Sequence, residues 1–219
     1  MAGNREDSVR RGCFVVIEGL DASGKSTLVR DLTNAYRREG HPLTTVREPG
    51  GTRLSEQVRR ILLDTHDNLT AQAELFLYLA SRSQLVEEVI RPALKRGDLV
   101  LSDRFSLSTL AYQIGGRGLP ARDVISADRL ARNGIKPDLT IMLTVTEAEA
   151  RRRKSKARLE PDRMERESQT FFRNVRAEYR RRSVNQRRLC VIDSAIGIDR
   201  VFQEAKSQID RRIRQGQHV

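Results

Sequence analysis

Residues 19–27 read GLDASGKST, and the spacing Gly19-x-x-x-x-Gly24-Lys25-Ser26 is that of a phosphate-binding loop. In such a loop successive backbone N–H groups, here from Asp21 to Ser26, wrap phosphate oxygens, helped by the N-terminus of the helix that follows. Lys25 would reach the β- and γ-phosphates, and the Ser26 hydroxyl would ligate Mg2+. Asp21 is out of place in a loop built for anions. Repulsion from a triphosphate disfavours it unless it faces away or meets a metal or a hydroxyl. It therefore points to a second substrate that carries hydroxyls, such as a sugar.

Other segments offer matching chemistry. LVLSDR (99–104) ends in Asp103, a place for a carboxylate that holds Mg2+ directly or through water, followed by the planar fork of Arg104. VREPGGT (46–52) sets a tight backbone path beside another cation, Arg47. YLASR (78–82) puts Tyr78 and Arg82 at i, i+4 on one helical face. A ring to stack and a fork of donors suit a nucleobase, although a core tyrosine with a surface arginine is the commoner use of that spacing. SLSTLAYQIGGRG (106–118) adds Ser108, Thr109 and Tyr112, then glycines that permit close packing.

These residues need a frame, and the apolar pattern supplies one. CFVVIEG, LTTVRE, LVLSDR, DLTIMLTV and LCVIDS read as five strands. Helices are expected from Ser26 to Gly40, at 53–63, over 71–96, at 106–114 and 121–133, from about 147, over 163–183, and from Gly197 to Arg214. The alternation predicts an α/β fold: a five-stranded parallel sheet with helices on both faces, of the P-loop NTPase kind, with a lid segment. Ligands should collect at the carboxyl ends of the strands. Residues 1–11 read as a polar tail, 12–215 as a single domain, and about 151–163 as the lid.

The 219 residues carry a net charge of +12. Residues 151–182 hold 13 Lys/Arg against 5 Asp/Glu, so this stretch alone supplies +8. A local basic segment suits a phosphate-gripping lid. With no zinc-finger spacing, RRM signature or aromatic-interleaved patch, no nucleic-acid partner is expected. The longest apolar run near the N-terminus, Cys13 to Ile17, is too short for a membrane span or signal segment, which makes a cytoplasmic protein with no membrane partner the expectation. Cys13 and Cys190 lie in strand-like runs and read as buried, reduced thiols.

Together the segments FVVIEGLDASGKST, REPGGT, SRSQLVEEVIRPAL, LSDRFSLSTLAYQIGGRG, KPDLTIML and DRMERES closely resemble the thymidylate kinase family, from about Cys13 to Ile209. The resemblance implies transfer of the γ-phosphate of ATP to dTMP, with Mg2+, in a homodimer. It implies ATP binding by Gly19, Leu20, Asp21, Ala22, Ser23, Gly24, Lys25, Ser26 and Thr27, with Arg151–Arg153 on adenine or phosphates. Asp21 would meet the deoxyribose 3′-hydroxyl, and Arg104 and Arg47 would hold the dTMP phosphate beside Pro49. Tyr78 would stack on thymine, and Arg82 would donate to its carbonyl. Ser108 and Thr109 would reach the N3 edge, with Gln113 close by. Tyr112 would pack under the deoxyribose. Some members place an arginine after the loop acid; here that residue is Ala22. The missing cation is then assigned to the basic stretch, with Arg158 aligned to the lid arginine and Arg163 next to it. Leu159 and Pro161 depart from the family's usual Gly and Leu. Two rivals stay open at this stage: a kinase for another nucleoside monophosphate, and a P-loop module that binds nucleotide without transfer.

Overall fold

The computed structural model describes residues 11–64, 68–157, 162–184 and 186–216. Five strands, β1 (Cys13–Gly19), β2 (Leu43–Arg47), β3 (Leu99–Asp103), β4 (Leu139–Thr144) and β5 (Leu189–Asp193), form one parallel sheet in the order β2-β3-β1-β4-β5. The chain winds to one side of β1 and then to the other, so the switch point of the topology lies at the carboxyl end of β1, where the phosphate-binding loop begins. β1 is apolar on both faces because both are covered. Val15 and Ile17 pack under α1 (Lys25–Arg38) and α9 (Ile198–Gly216), against Leu28, Leu32, Val201 and Ile209. Phe14 and Val16 pack on the opposite layer, against Leu85, Ile90, Leu94 and Phe105.

That second layer departs from the expected single helix over 71–96. The structure has α3 (Ala71–Leu85), a π-helical segment Val86–Ile90, and α4 (Arg91–Lys95). The wider turn accommodates Pro92, which lacks the N–H of a regular ladder. The helix expected at 106–114 likewise divides, into α5 (Ser106–Thr109) and a π-helical segment Leu110–Gly116. The helix expected from 163 begins at Gln169 instead, because the Ser168 hydroxyl accepts from the Phe171 N–H and caps α8 (Gln169–Ser183) there. Met164 therefore sits in the turn before α8, yet still joins the cluster of Tyr112, Met142, Phe171, Val175 and Tyr179. The remaining helices are α2 (Arg53–Leu63), α6 (Ala121–Ala131) and α7 (Glu147–Ala157).

Glycines Gly115 and Gly116 bring the second π-helical segment onto α8. A Cβ on Gly115 would lie 2.8 Å from the Asn174 carbonyl oxygen, and one on Gly116 would lie 2.4 Å from the Phe171 ring. Both cysteines are free and half-buried, and burial pushes the Cys13 thiol up to about 12. Among the described residues, no helix is long and apolar enough to cross a membrane.

Candidate active site

The loop after β1 keeps its shape through Gly19, whose φ is 141°. A Cβ there would meet the Leu143 carbonyl oxygen at 2.5 Å. Lys25 opens α1 and is buried, and its ammonium donates to the Leu20 carbonyl at 2.9 Å. Burial, reinforced by the charge of Arg104, pushes Lys25 down to about 8, against the pull of Asp21 and Asp103. The Ser26 hydroxyl donates to Asp103 Oδ2 at 2.9 Å, joining the start of α1 to the end of β3. Asp103 Oδ1 is buried and has no hydrogen-bond partner among the described residues. A hydroxyl oxygen beside a carboxylate with an unspent oxygen is a hard-oxygen donor set of the kind Mg2+ takes.

Arg104 ties the phosphate-binding loop to the neighbouring cavity. Its φ of 75° is rare for a residue with a side chain, and the turn throws the guanidinium back across the loop. There it donates to the Gly19 carbonyl and the Ser108 hydroxyl, both at 3.1 Å, and forms an ion pair with Asp21. It also lies 5.4 Å over the Tyr112 ring. Burial alone would raise the Asp21 carboxyl, but Arg104 and Lys25 outweigh it and hold the group at about 2. The Tyr112 hydroxyl stands 3.5 Å from the second Asp21 oxygen. Asp21 is thus the meeting point of loop, Arg104 and Tyr112.

These groups line a cavity that also takes in Pro49, Tyr78, Arg82, Ser108, Thr109 and Gln113. Among the described residues, Arg82 is the largest fully buried side chain. Its guanidinium binds Glu48 through two nitrogens and Asp128 at 2.6 Å. Three of its five N–H groups are spent on those carboxylates, which leaves two. The i, i+4 pair of Tyr78 and Arg82 thus faces a cavity, and the reading of a core tyrosine with a surface arginine does not hold.

Arg47 is not brought to the cavity. Strand alternation turns Val46 and Glu48 inward and Arg47 outward, where it binds Glu56 at 2.9 Å and remains 56% exposed. Glu56 also accepts from Gly51 N–H and braces the turn. The cation on that side is Arg59, which donates to the Pro49 carbonyl at 3.0 Å and lines the cavity. Its signal in the sequence was a basic residue four places after Ser55, on the buried face of α2. Glu18 was also overlooked. It lies inside the buried strand β1, where its carboxylate accepts from Phe105 N–H, Ser108 N–H, the Ser108 hydroxyl and the Tyr179 hydroxyl. Burial pushes Glu18 up, opposed by the Ser108 hydrogen bond and the charge of Arg104. A charge near the end of a strand covered on both faces was the available sign.

The basic stretch resolves unevenly. Arg151 is 64% exposed and paired with Glu147, and Arg152 is bound to Glu149. Arg153 alone of the three reaches the loop, donating to the Ala22 carbonyl at 3.2 Å and to Ser194 Oγ and O at 3.1 and 2.9 Å. Arg163 turns to Glu74 at 2.6 Å and to the Leu62 carbonyl. Arg158, Leu159 and Pro161 lie outside the described residues.

A parallel sheet with a phosphate-binding loop at its switch point, a Ser–Asp pair for a divalent cation and an arginine shared with a neighbouring cavity define a P-loop nucleotide kinase. The family model for thymidylate kinase matches residues 17–205. Curated relatives named thymidylate kinase include one from Thermosipho africanus, 42% identical over 200 residues covering 91% of this chain and 98% of that protein. One from Paraburkholderia xenovorans is 43% identical over 208 residues, covering 93% and 96%. The chain belongs to the thymidylate kinase family.

Proposed function

We propose that this site transfers the γ-phosphate of ATP to dTMP, giving dTDP for dTTP synthesis. The observation that carries the reading is Arg104, which touches the donor loop at Gly19 and lines the acceptor cavity with Tyr78, Arg82, Tyr112 and Gln113. One guanidinium shared between donor and acceptor is what two mutually repelling phosphates need. The acceptor is already an ionised phosphate oxygen, so no strong general base is required. Catalysis reduces to in-line positioning and charge neutralisation.

The residues take these roles. Backbone N–H groups from Gly19 to Thr27 hold the ATP phosphates, with Lys25 on the β- and γ-phosphates and Arg153, rather than Arg151, at the nucleotide side. Ser26 and Asp103 would hold Mg2+, which neutralises phosphate charge when bound. Arg104 and Arg59 hold the dTMP phosphate. Asp21 faces the deoxyribose hydroxyl, Tyr112 packs under the sugar, and Tyr78 stacks on thymine. Arg82 donates its free N–H groups to a thymine carbonyl, and Thr109 and Gln113 face the N3 edge. Arg158, in the lid of about 151–163, supplies the further cation. We place the enzyme in the cytoplasm, where its free thiols suit a reducing compartment. We assign it a homodimer. Exposed Leu54 and Ile61, one heptad apart on α2, and Phe76 on the adjoining α3 offer the apolar face. A single-chain mass in sedimentation equilibrium would count against the dimer.

The functional test is an acceptor panel of dTMP, dUMP, dCMP, dGMP and dAMP with ATP, with and without Mg2+. dTMP is expected to give the highest kcat/KM, and only with the metal. A better acceptor than dTMP ends the thymine assignment. ADP release unchanged by any monophosphate ends the kinase reading.

A further inference from the structure

The next step rests on the reading of the cavity as the dTMP site. Glu74 lies on α3, four residues before Tyr78 and eight before Arg82, and is fully buried. Its Oε1 accepts from Gln113 Nε2 at 2.8 Å and from Arg117 Nε at 2.9 Å. Its Oε2 accepts from Arg117 at 2.8 Å and from Arg163 at 2.6 Å. Burial would raise this carboxyl, but hydrogen bonds from Arg117 and Gln113, with the Arg117 charge, outweigh it and hold Glu74 below the ordinary range. Glu74 is therefore ionised, and an ionised carboxylate accepts hydrogen bonds but cannot donate one.

That settles which way the Gln113 amide faces. Its NH2 must turn to Glu74, which leaves its carbonyl Oε1. This oxygen is buried and has no hydrogen-bond partner among the described residues, and Gln113 lines the cavity. A buried acceptor without a partner is costly until something donates to it. We infer that Glu74 is a specificity-determining positioning residue: it locks Gln113 as an acceptor toward the base edge, selecting a pyrimidine with an N3–H. Thymine carries that N3–H. Cytosine presents an unprotonated N3, so two acceptors would face each other. Arg117 and Arg163 keep Glu74 charged, and Arg117 also pairs with Glu167 at 2.5 Å. The chain just before α8 thus helps to set base choice on α3.

The test compares dTMP with 5-methyl-dCMP, which differ only on the N3 and C4 edge, as acceptors for the full-length enzyme. The readout is the ratio of their kcat/KM values. In Glu74→Gln the new amide can donate to the Gln113 carbonyl, freeing the Gln113 NH2 to face the base. The ratio is expected to fall about 10-fold, the worth of about one hydrogen bond, with the change carried in KM. Adding Gln113→Glu to that variant puts a carboxylate back at the base edge and should restore the preference for dTMP. A ratio within one preparation does not depend on the fraction folded. If Glu74→Gln depresses both acceptors equally, the residue is merely structural and the inference is overturned. Gln113→Leu separates the two layers of argument. If it leaves the ratio untouched, Gln113 does not read the base and the site reading is at fault. If it lowers the ratio while Glu74→Gln does not, only the role of Glu74 falls.

Discussion

Arg82 is where removal of one side chain should do the most measurable damage. Its guanidinium is 2% exposed, held by Glu48 and Asp128, and lies 4.9 Å over the Phe105 ring. Arg82→Leu deletes the cation and leaves both carboxylates in place, each 5% exposed. Asp128 keeps a partner in Arg132 at 3.3 Å, so the uncompensated charge is Glu48. Breaking a buried ion pair from one side costs about 3–5 kcal/mol. At roughly 2–4 °C per kcal/mol for a chain of this size, Tm should fall by about 6–20 °C in scanning calorimetry. The pH dependence gives the mechanism away. Burial already pushes Glu48 above the ordinary carboxylate range, with Arg82 pulling it back, and the variant releases that restraint. A carboxyl whose folded pKa exceeds its unfolded one takes up protons on folding, so its stability contribution declines as pH rises through that window. The Tm deficit of Arg82→Leu should therefore shrink as pH is lowered from about 8 toward 5. Arg82→Leu combined with Glu48→Leu should recover at least half of the loss. A deficit that grows on acidification, or one that Glu48→Leu does not repair, would refute the reasoning.

Two further predictions concern the donor side. Lys25, pushed down to about 8 by burial and by Arg104, should make kcat/KM for ATP fall as pH rises above that value, because this parameter reports the free enzyme. The limb for kcat should lie at higher pH, since bound phosphates restore the ammonium; coincident limbs would mean another group is titrating. Arg153→Met should raise KM for ATP about 10-fold through loss of charge-assisted bonds around the loop, whereas Arg151→Met should leave it near wild type. The reverse order would return the nucleotide contact to Arg151.

Much of this was legible in the sequence, for physical reasons. Phosphate loops impose glycines at fixed offsets, and a strand buried on both faces leaves an unbroken β-branched run, so β1, its loop and α1 announce themselves. The i, i+4 spacing of Tyr78 and Arg82 was also readable, and α3 does present both to the cavity. What escaped depends on partners far apart in the chain. Arg47 and Glu48 are neighbours, and alternation decides which faces inward, yet only the fold shows that Arg82, itself held by Asp128, waits there for the acid. Arg151 and Arg153 are both cations in a basic run. Glu147 claims Arg151, and Glu149 binds both Arg152 and Arg153; only Arg153 also lies within reach of Ser194 and the Ala22 carbonyl at the loop. The π-helical interruptions at Val86–Ile90 and Leu110–Gly116 break a period that a sequence pattern treats as continuous.

Four of the arginines in and around the cavity share one arrangement. Arg104 is held by Asp21, Arg82 by Glu48 and Asp128, and Arg117 and Arg163 by Glu74. Without those carboxylates, a cavity with this many guanidiniums would suffer strong mutual repulsion in a medium that screens poorly. The pairs differ in depth, and that separates their work. Glu48 and Glu74 are buried and fix orientation, so under the proposed function Arg82 and Gln113 would meet a base with their geometry already set. Asp21 is 27% exposed and sits at the junction with the donor loop, so it is the carboxylate that a phosphate on Arg104 would meet. Exchange of Asp21 for phosphate on the same guanidinium would release the acid toward the sugar hydroxyl. On the proposed reading, an acid that looks counterproductive in an anion loop would act as a placeholder for the acceptor phosphate and then as a partner for its sugar.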